Sequence, residues 1–241
     1  MSNLTKNKNK GYKLDKFYSK IFKQYDLINK LFTFGMDKKW RNKTVELCLE
    51  TKPNEILDLC CGTGDLSIEL AKKSGDTCLV TGYDMNESML KKANEKGAGL
   101  KSKLKFIKGK ASQIPFNSQQ FDCITISFGF RNLTYENPEQ LIHIQEMHRV
   151  LKPGGKLIIL ESGVPTNAIV KLFYKIFLYL FLVPLGGIIS GNFKAYYYLA
   201  KSSANFYPLD QIETMLFNEG FKEITNHSFL FGAANIMVVK K

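Results

Sequence analysis

The chain has one tryptophan, three histidines and seven prolines among 241 residues, and its 22 acidic side chains are outnumbered by 34 basic ones. No C-x-x-C or C-x-H spacing occurs, and His143 and His148 stand five apart with no third ligand nearby, so no metal site is expected. The five cysteines are an odd number: Cys60 and Cys61 are adjacent, and Cys48, Cys78 and Cys123 are scattered, which excludes a disulfide framework. The polar opening from Ser2 to Lys10 lacks the apolar core of a secretory signal. A spanning helix is also not expected. The most apolar stretch, residues 169 to 190, is interrupted by Lys171 and Lys175, and Ile176 to Pro184 falls short of the roughly 20 apolar residues needed.

What is present describes a globular protein. Hydrophobic content of 44% and charged content of 23% predict a single domain over residues 13 to 241 behind a mobile basic tail, residues 1 to 12. Formal net charge is +12, and residues 1 to 50 hold 12 Lys/Arg against 5 Asp/Glu. Such a surplus attracts anionic lipid headgroups or nucleic acid within a Debye length of roughly 8 Å. A merely lysine-rich composition accounts for it equally well.

From residue 55 onward, strand-like and helix-like stretches alternate, the pattern of a parallel sheet with helices on both faces. Strands are predicted at 55 to 59, 78 to 83, 104 to 108, 121 to 127 and 156 to 161, and helices near 65 to 73, 87 to 96 and 137 to 151, the last ended by Lys152-Pro153-Gly154-Gly155. After a helix at 208 to 219, two strands, 221 to 229 and 235 to 239, are joined so closely that they must form an antiparallel hairpin. The fold class is α/β, Rossmann-like, with seven mostly parallel strands.

Leu57-Asp58-Leu59-Cys60-Cys61-Gly62-Thr63-Gly64 is a strand running into a small-residue turn, where backbone must pass close to a ligand and begin a helix at once. Twenty residues past Gly64, Asp84 ends the next strand, placed to accept from the two hydroxyls of a ribose. The pair points to a nucleoside-bearing cofactor. Ser67 replaces the third glycine of G-x-G-x-x-G, which disfavours a dinucleotide oxidoreductase.

Several further segments carry a resemblance: Tyr25-Asp26-Leu27-Ile28-Asn29, Phe34-Gly35-Met36-Asp37-Lys38-Lys39-Trp40-Arg41, Asp84-Met85-Asn86-Glu87-Ser88-Met89-Leu90, Phe128-Gly129-Phe130-Arg131-Asn132 and Arg149-Val150-Leu151-Lys152-Pro153-Gly154-Gly155. Together with the turn they make the chain, from about Phe17 to Val239, similar to the ubiquinone/menaquinone biosynthesis C-methyltransferases. The resemblance implies a class I fold, S-adenosyl-L-methionine as cofactor, and methylation of a ring carbon of a demethylated isoprenoid quinol. It also implies cofactor contacts at Asp58, Gly62, Thr63, Gly64, Asp84, Met85, Lys110, Ala111 and Ser127. Lys110 departs from the family, where an Asp or Asn faces the adenine. A lysine side chain cannot accept from the adenine amino group, so the contact passes to backbone of Lys110 and Ala111 or to Ser112, with the ammonium in solvent.

The catalytic candidates are Arg131 and Asn132, just past the fourth strand at the carboxyl edge where open α/β sheets place ligands, together with Tyr25 and Asp26 closing over the pocket. Carbon methylation needs an electron-rich ring, and Arg131 can stabilise a phenolate or polarise a water that takes the proton, while Asn132 orients the ring hydroxyl. Bland readings stand beside these: Asp58 as a cap, Thr63 as a turn residue, Ser127 capping its strand, Arg131 paired with a structural acid, Tyr25 and Asp26 packing helices. Residues 13 to 50 are expected to form a helical cap and 168 to 207 a helical insertion facing substrate or membrane. Expected partners are a lipophilic quinol, a membrane surface met peripherally through 169 to 190 and the basic N-terminus, and a second copy in a homodimer; the expected location is cytoplasmic, on the inner membrane face. A buried crossover helix or subunit interface explains 169 to 190 as well. The tyrosine-rich segment Ala195 to Ser203 has its own sequence, which leaves another lipid or phenolic acceptor open. RNA methylation is disfavoured, because no Asn/Asp-Pro-Pro-aromatic or Pro-Cys motif and no RNA-binding module occur. A non-catalytic cofactor-binding protein is disfavoured by the intact Arg131 and Asn132.

Overall fold

The computed structural model describes Ser19 and residues 25–241, with Tyr25 through its backbone alone. The basic tail expected at 1 to 12, the start of the helical cap and the side chain of Tyr25 lie outside the described residues. The elements run α1 (Tyr25–Phe32), α2 (Met36–Leu49), β1 (Glu55–Leu59), α3 (Asp65–Lys73), β2 (Leu79–Asp84), α4 (Glu87–Lys96), β3 (Leu104–Lys108), β4 (Phe121–Ser127), α5 (Phe130–Thr134), α6 (Gln140–Val150) and β5 (Leu151–Ser162). The helical insertion follows as α7 (Ala168–Ile176), a π-helical segment (Phe177–Leu182), α8 (Val183–Ser190) and α9 (Phe193–Ala204). Then come α10 (Leu209–Asn218), β6 (Ile224–Phe229) and β7 (Ala234–Lys240).

The sheet order is β3-β2-β1-β4-β5-β7-β6, parallel through β5 and antiparallel at β7 and β6. Strands wind outward in both directions from β1 and β4, so the point where the order reverses lies between these two. Both faces of the central strands are covered, which is why they read as continuous apolar runs. Leu57, Ile124 and Ile159 pack against α6 and α10, while their neighbours Ile56, Cys123 and Ile158 point to the other face and meet α2 and α3. A third, smaller core joins Ile28 of α1 to Leu178, Leu182, Tyr196 and Ala200 of the insertion.

Two expectations need correction. β5 starts at Leu151, not 156: the register shifts between Phe121 and Cys123, so Pro153, Gly154 and Gly155 form an irregular lead-in instead of a separate turn. The stretch Ile176 to Pro184 is expected to be too short to span a membrane, yet Ala168 to Ser190 runs as 23 continuous helical residues, with Pro184 just past the π-helical segment Phe177–Leu182. It is the one helix, among the described residues, long and apolar enough to cross a bilayer.

The junction of β1, β4 and α3 is fixed by a buried carboxylate. Asp58 is 1% exposed and accepts from Ser67 Oγ at 2.5 Å and Thr125 Oγ1 at 3.0 Å. Burial pushes its carboxyl up to about 7, against the pull of the Ser67 and Thr125 hydrogen bonds. A carboxyl whose folded pKa exceeds its unfolded value keeps its proton longer when folded. It therefore supports stability in acid and withdraws that support as pH rises from about 4 toward neutrality. Asp58→Asn should flatten the decline of Tm between about pH 4 and 7; a pH–Tm curve parallel to wild type would contradict this assignment.

Candidate active site

At the carboxyl ends of β1 and β4 lies a cleft walled by Asn29, Arg41, Gly62, Thr63, Ser127 and Phe128, with Asp58 and Cys60 at its base. A larger groove adjoins it between α2 and α3, but its walls are paired surface charges such as Lys72 with Glu69 at 3.4 Å, and it lies off the strand edge. The smaller cleft is where the fold places a ligand. Cys60 (φ 58°) and Phe128 (φ 57°), just after neighbouring strand ends, both adopt left-handed backbone that non-glycine residues avoid. Such strain costs on the order of 1–3 kcal/mol per residue and gathers at functional sites. The single tryptophan, Trp40, packs on Phe128 and Phe229 with ring centroids 6.5 and 6.1 Å apart, so α2 braces the cleft while presenting Arg41 to it.

The turn is built as a cradle. Gly64 has φ 80°, and a β-carbon there would lie 2.8 Å from Phe106 and 2.9 Å from Ala93, so the chain can enter α3 at this point only as glycine. Gly62, at φ 54°, faces open space, the room a nucleoside needs against backbone. Its N–H donates to Asp84 Oδ2 at 2.9 Å, and the N–H of Asn86 donates to Asp84 Oδ1 at 2.8 Å. An ionised carboxylate accepts at about four lone-pair sites, so a side chain held in this way remains suited to a ribose diol. Asn86 in turn caps α4 through Met89 N at 2.9 Å. Met85 is half-buried between them.

Asp26 of α1 reaches the turn: Thr63 Oγ1 donates to Asp26 Oδ1 at 2.7 Å, and Lys92 bridges the same carboxylate at 2.8 Å. Burial pushes the Asp26 carboxyl up, but the hydrogen bonds of Lys92 and Thr63 and the charge of Lys96 outweigh it, and the pKa is lowered. Asp26 thus pins α1 over the cofactor turn. Lys110 is exposed, as its chemistry required, and its carbonyl accepts from Tyr83 Oη at 3.2 Å; Ala111 packs on the core beside it.

Arg131 and Asn132 lie on the far side of Gly129, in the short helix α5 beneath the insertion. Arg131 is 3% exposed and its Nη1 meets Glu161 Oε1 at 3.4 Å, Ser162 Oγ at 2.5 Å and Ser203 Oγ at 2.8 Å, while its backbone N–H donates to Glu161 Oε2 at 3.0 Å. Tyr174 of α7 is close to Arg131 and Ser203, and burial pushes its phenol up to about 12. Sequence reasoning missed Arg41 and Asn29 in the cleft and Glu161, Ser162, Tyr174 and Ser203 around Arg131. Glu161 carried one visible signal, a lone acid closing the apolar run of β5. Among the described residues no cluster of His, Cys, Asp and Glu suits a metal ion.

A doubly wound sheet with a glycine cradle and an acid at the end of β2 defines the Rossmann-like class of S-adenosylmethionine-dependent methyltransferases. The comparisons narrow this. The ubiE/COQ5 methyltransferase family matches residues 5–241, and the chain belongs to that family. The chain is 39% identical over 224 residues to demethylmenaquinone methyltransferase of Thermotoga maritima, covering 92% of this chain and 93% of that protein. Against demethylmenaquinone methyltransferase of Staphylococcus aureus it is 35% identical over 229 residues, 95% and 92% of the two chains. In fold it is similar to an S-adenosylmethionine-dependent methyltransferase from Aquifex aeolicus (20% identity, TM-score 0.55, 81% of this chain and 88% of that one) and to the [4+2]-cyclase SpnF (16%, 0.65, 95% and 94%). The chain is an S-adenosylmethionine-dependent C-methyltransferase of quinone biosynthesis.

Asp84→Ala should weaken S-adenosylmethionine binding tenfold or more by calorimetry, since it removes both the ribose acceptor and the brace on Gly62; near-native affinity would remove the assignment.

Proposed function

We propose that the chain methylates a ring carbon of demethylmenaquinol, with Gly62, Thr63, Asp84 and Ser127 holding the cofactor and Arg131 facing the ring. The cofactor, when bound, supplies an electrophilic methyl on a sulfonium. What the protein must add is alignment and an electron-rich carbon. The observation that carries the reading is Arg131, a buried cation held rigidly by Glu161, Ser162 and Ser203 at the carboxyl edge of β4 and β5. A fixed guanidinium in a water-poor site stabilises a phenolate far better than one in solvent. Asn132 sits beside it to orient the ring. Methylation of another phenolic lipid rests on the same site and is separated by a panel of acceptors. Methyl-labelled cofactor with demethylmenaquinol should give labelled menaquinol by mass spectrometry. Arg131→Lys keeps the charge but loses the guanidinium nitrogen that meets Glu161, Ser162 and Ser203, and should lower turnover at least tenfold with cofactor affinity within about twofold; an unchanged rate would remove its role.

The acceptor is lipid-soluble, and the exposed apolar side chains support delivery from a membrane surface. Ile169 (67% exposed), Phe173 (65%), Leu180 (67%) and Ile188 (70%) line the outer side of Ala168–Ser190, with Leu27 and Leu31 of α1 and Phe34 of the turn after it also exposed. No Asp or Glu stands between Glu161 and Asp210, while Lys171, Lys175, Lys194 and Lys201 do. The inner side is held by its own domain: Leu178 and Leu182 are buried against Tyr196 and Ala200, and Gly186 and Gly187 lie so near Tyr196 and Phe193 that a β-carbon would clash. A helix tied down along one side favours lying in the interface on the inner membrane face over crossing it. The protein should co-sediment with phosphatidylglycerol vesicles, and Phe173→Glu with Leu180→Glu should cut that binding at least tenfold. Binding untouched by the double substitution would remove this surface, and resistance to alkaline extraction would mean a spanning helix.

A further inference from the structure

Helix α9 does more than bring Ser203 to Arg131. Tyr198, on the same helix, buries its hydroxyl oxygen without a hydrogen-bond partner among the described residues. An unpartnered buried hydroxyl is unfavourable, and in a native protein it calls for a reason. Its setting supplies one. The groups that act on the Tyr198 phenol, after burial itself, are the positive charge of Arg131 and the negative charge of Glu136, and burial raises its pKa, so at neutral pH it is a neutral O–H donor. The neighbouring phenol differs: Tyr174 shares Ser203 with Arg131. Tyr135, from the end of α5, lies close enough to feel Tyr198 and packs on Tyr207 at 5.7 Å, so the surroundings of the hydroxyl are aromatic as well as polar. Such surroundings, with one cation and one unclaimed O–H, suit a flat, oxygen-bearing ring.

We infer that the Tyr198 hydroxyl is an acceptor-binding group that donates a hydrogen bond to a ring oxygen of an aromatic substrate bound beside Arg131. This rests on the reading that a phenolic acceptor enters beside Arg131. The partner it would find there completes the hydroxyl's hydrogen bonding, so the group contributes to binding and not to folding. It also sets specificity, because a site that keeps a polar group for a substrate oxygen rejects an analogue that cannot pair with it.

The test is Tyr198→Phe, which removes one oxygen and leaves the ring. Tm should stay equal or rise and cofactor affinity should stay within about twofold. kcat/KM for the quinol should fall at least tenfold, mostly through KM. Preference for the quinol over its mono-deoxy analogue, which lacks one ring oxygen, should shrink by a similar factor, a change that a packing role would not produce. Binding of tail-free 1,4-naphthalenediol, followed by calorimetry in the presence of S-adenosylhomocysteine, should weaken at least tenfold. Wild-type protein that binds the diol but does not methylate the quinol would count against the proposed reaction alone. Equal diol affinity and an equal preference for the quinol over its mono-deoxy analogue in Tyr198→Phe, or a Tm drop of more than about 5 °C, would overturn the Tyr198 inference alone.

Discussion

The carboxylate of Asp58 is the constraint on which the site depends. Ser67 and Thr125 reach it from α3 and β4, so one side chain of β1 ties together the two strands that bound the reversal point and the helix that leaves it. Each such hydrogen bond contributes on the order of 1 kcal/mol and leaves the buried carboxyl with its polar atoms met. With those three elements locked, the chain between them has little freedom. Cys60 is forced into left-handed backbone, and Gly62 and Gly64 complete the turn that Asp84 then steadies from β2. The cofactor cradle is thus a consequence of the junction and not an independent loop.

A second electrostatic centre lies one strand away. Glu161 ends β5 at 1% exposure and accepts from the backbone N–H groups of Arg131 and Ser162 as well as from the guanidinium. A buried pair of this kind adds little net stability over an apolar replacement, but breaking it leaves a stranded charge. What it supplies is orientation. Ser203 extends the same network into the insertion, so the helices that carry the exposed apolar side chains are tied to Arg131.

Much of the fold was legible. β1, β3, β4, α3 and α4 have the predicted bounds: the central strands β1 and β4, buried on both faces, leave nearly unbroken apolar runs, and the edge strand β3 sets Leu104 and Phe106 against the exposed Lys105 and Lys108. The hairpin followed from the short connection between its strands, and the observed pairing of β6 with β7 is antiparallel. The lead-in of β5 was hidden by Pro153-Gly154-Gly155, which reads as a turn and is one only until β4 supplies a partner at Leu151. The 168 to 190 helix was obscured by Lys171, Lys175 and Pro184, each of which interrupts a hydropathy count without interrupting a helix.

The order of strands, the glycine turn, the acid at the end of β2 and the arginine past β4 follow from the sequence by itself, since each depends on local backbone demands or on the burial of neighbouring residues. Only the tertiary structure decided what those side chains touch. Arg131 meets Glu161 across 30 positions and Ser203 across 72, and Thr63 meets Asp26 across 37. No periodicity or spacing encodes such distances. They arise when the strands align and the insertion folds back, and the same step buries the hydroxyl of Tyr198 beside the arginine.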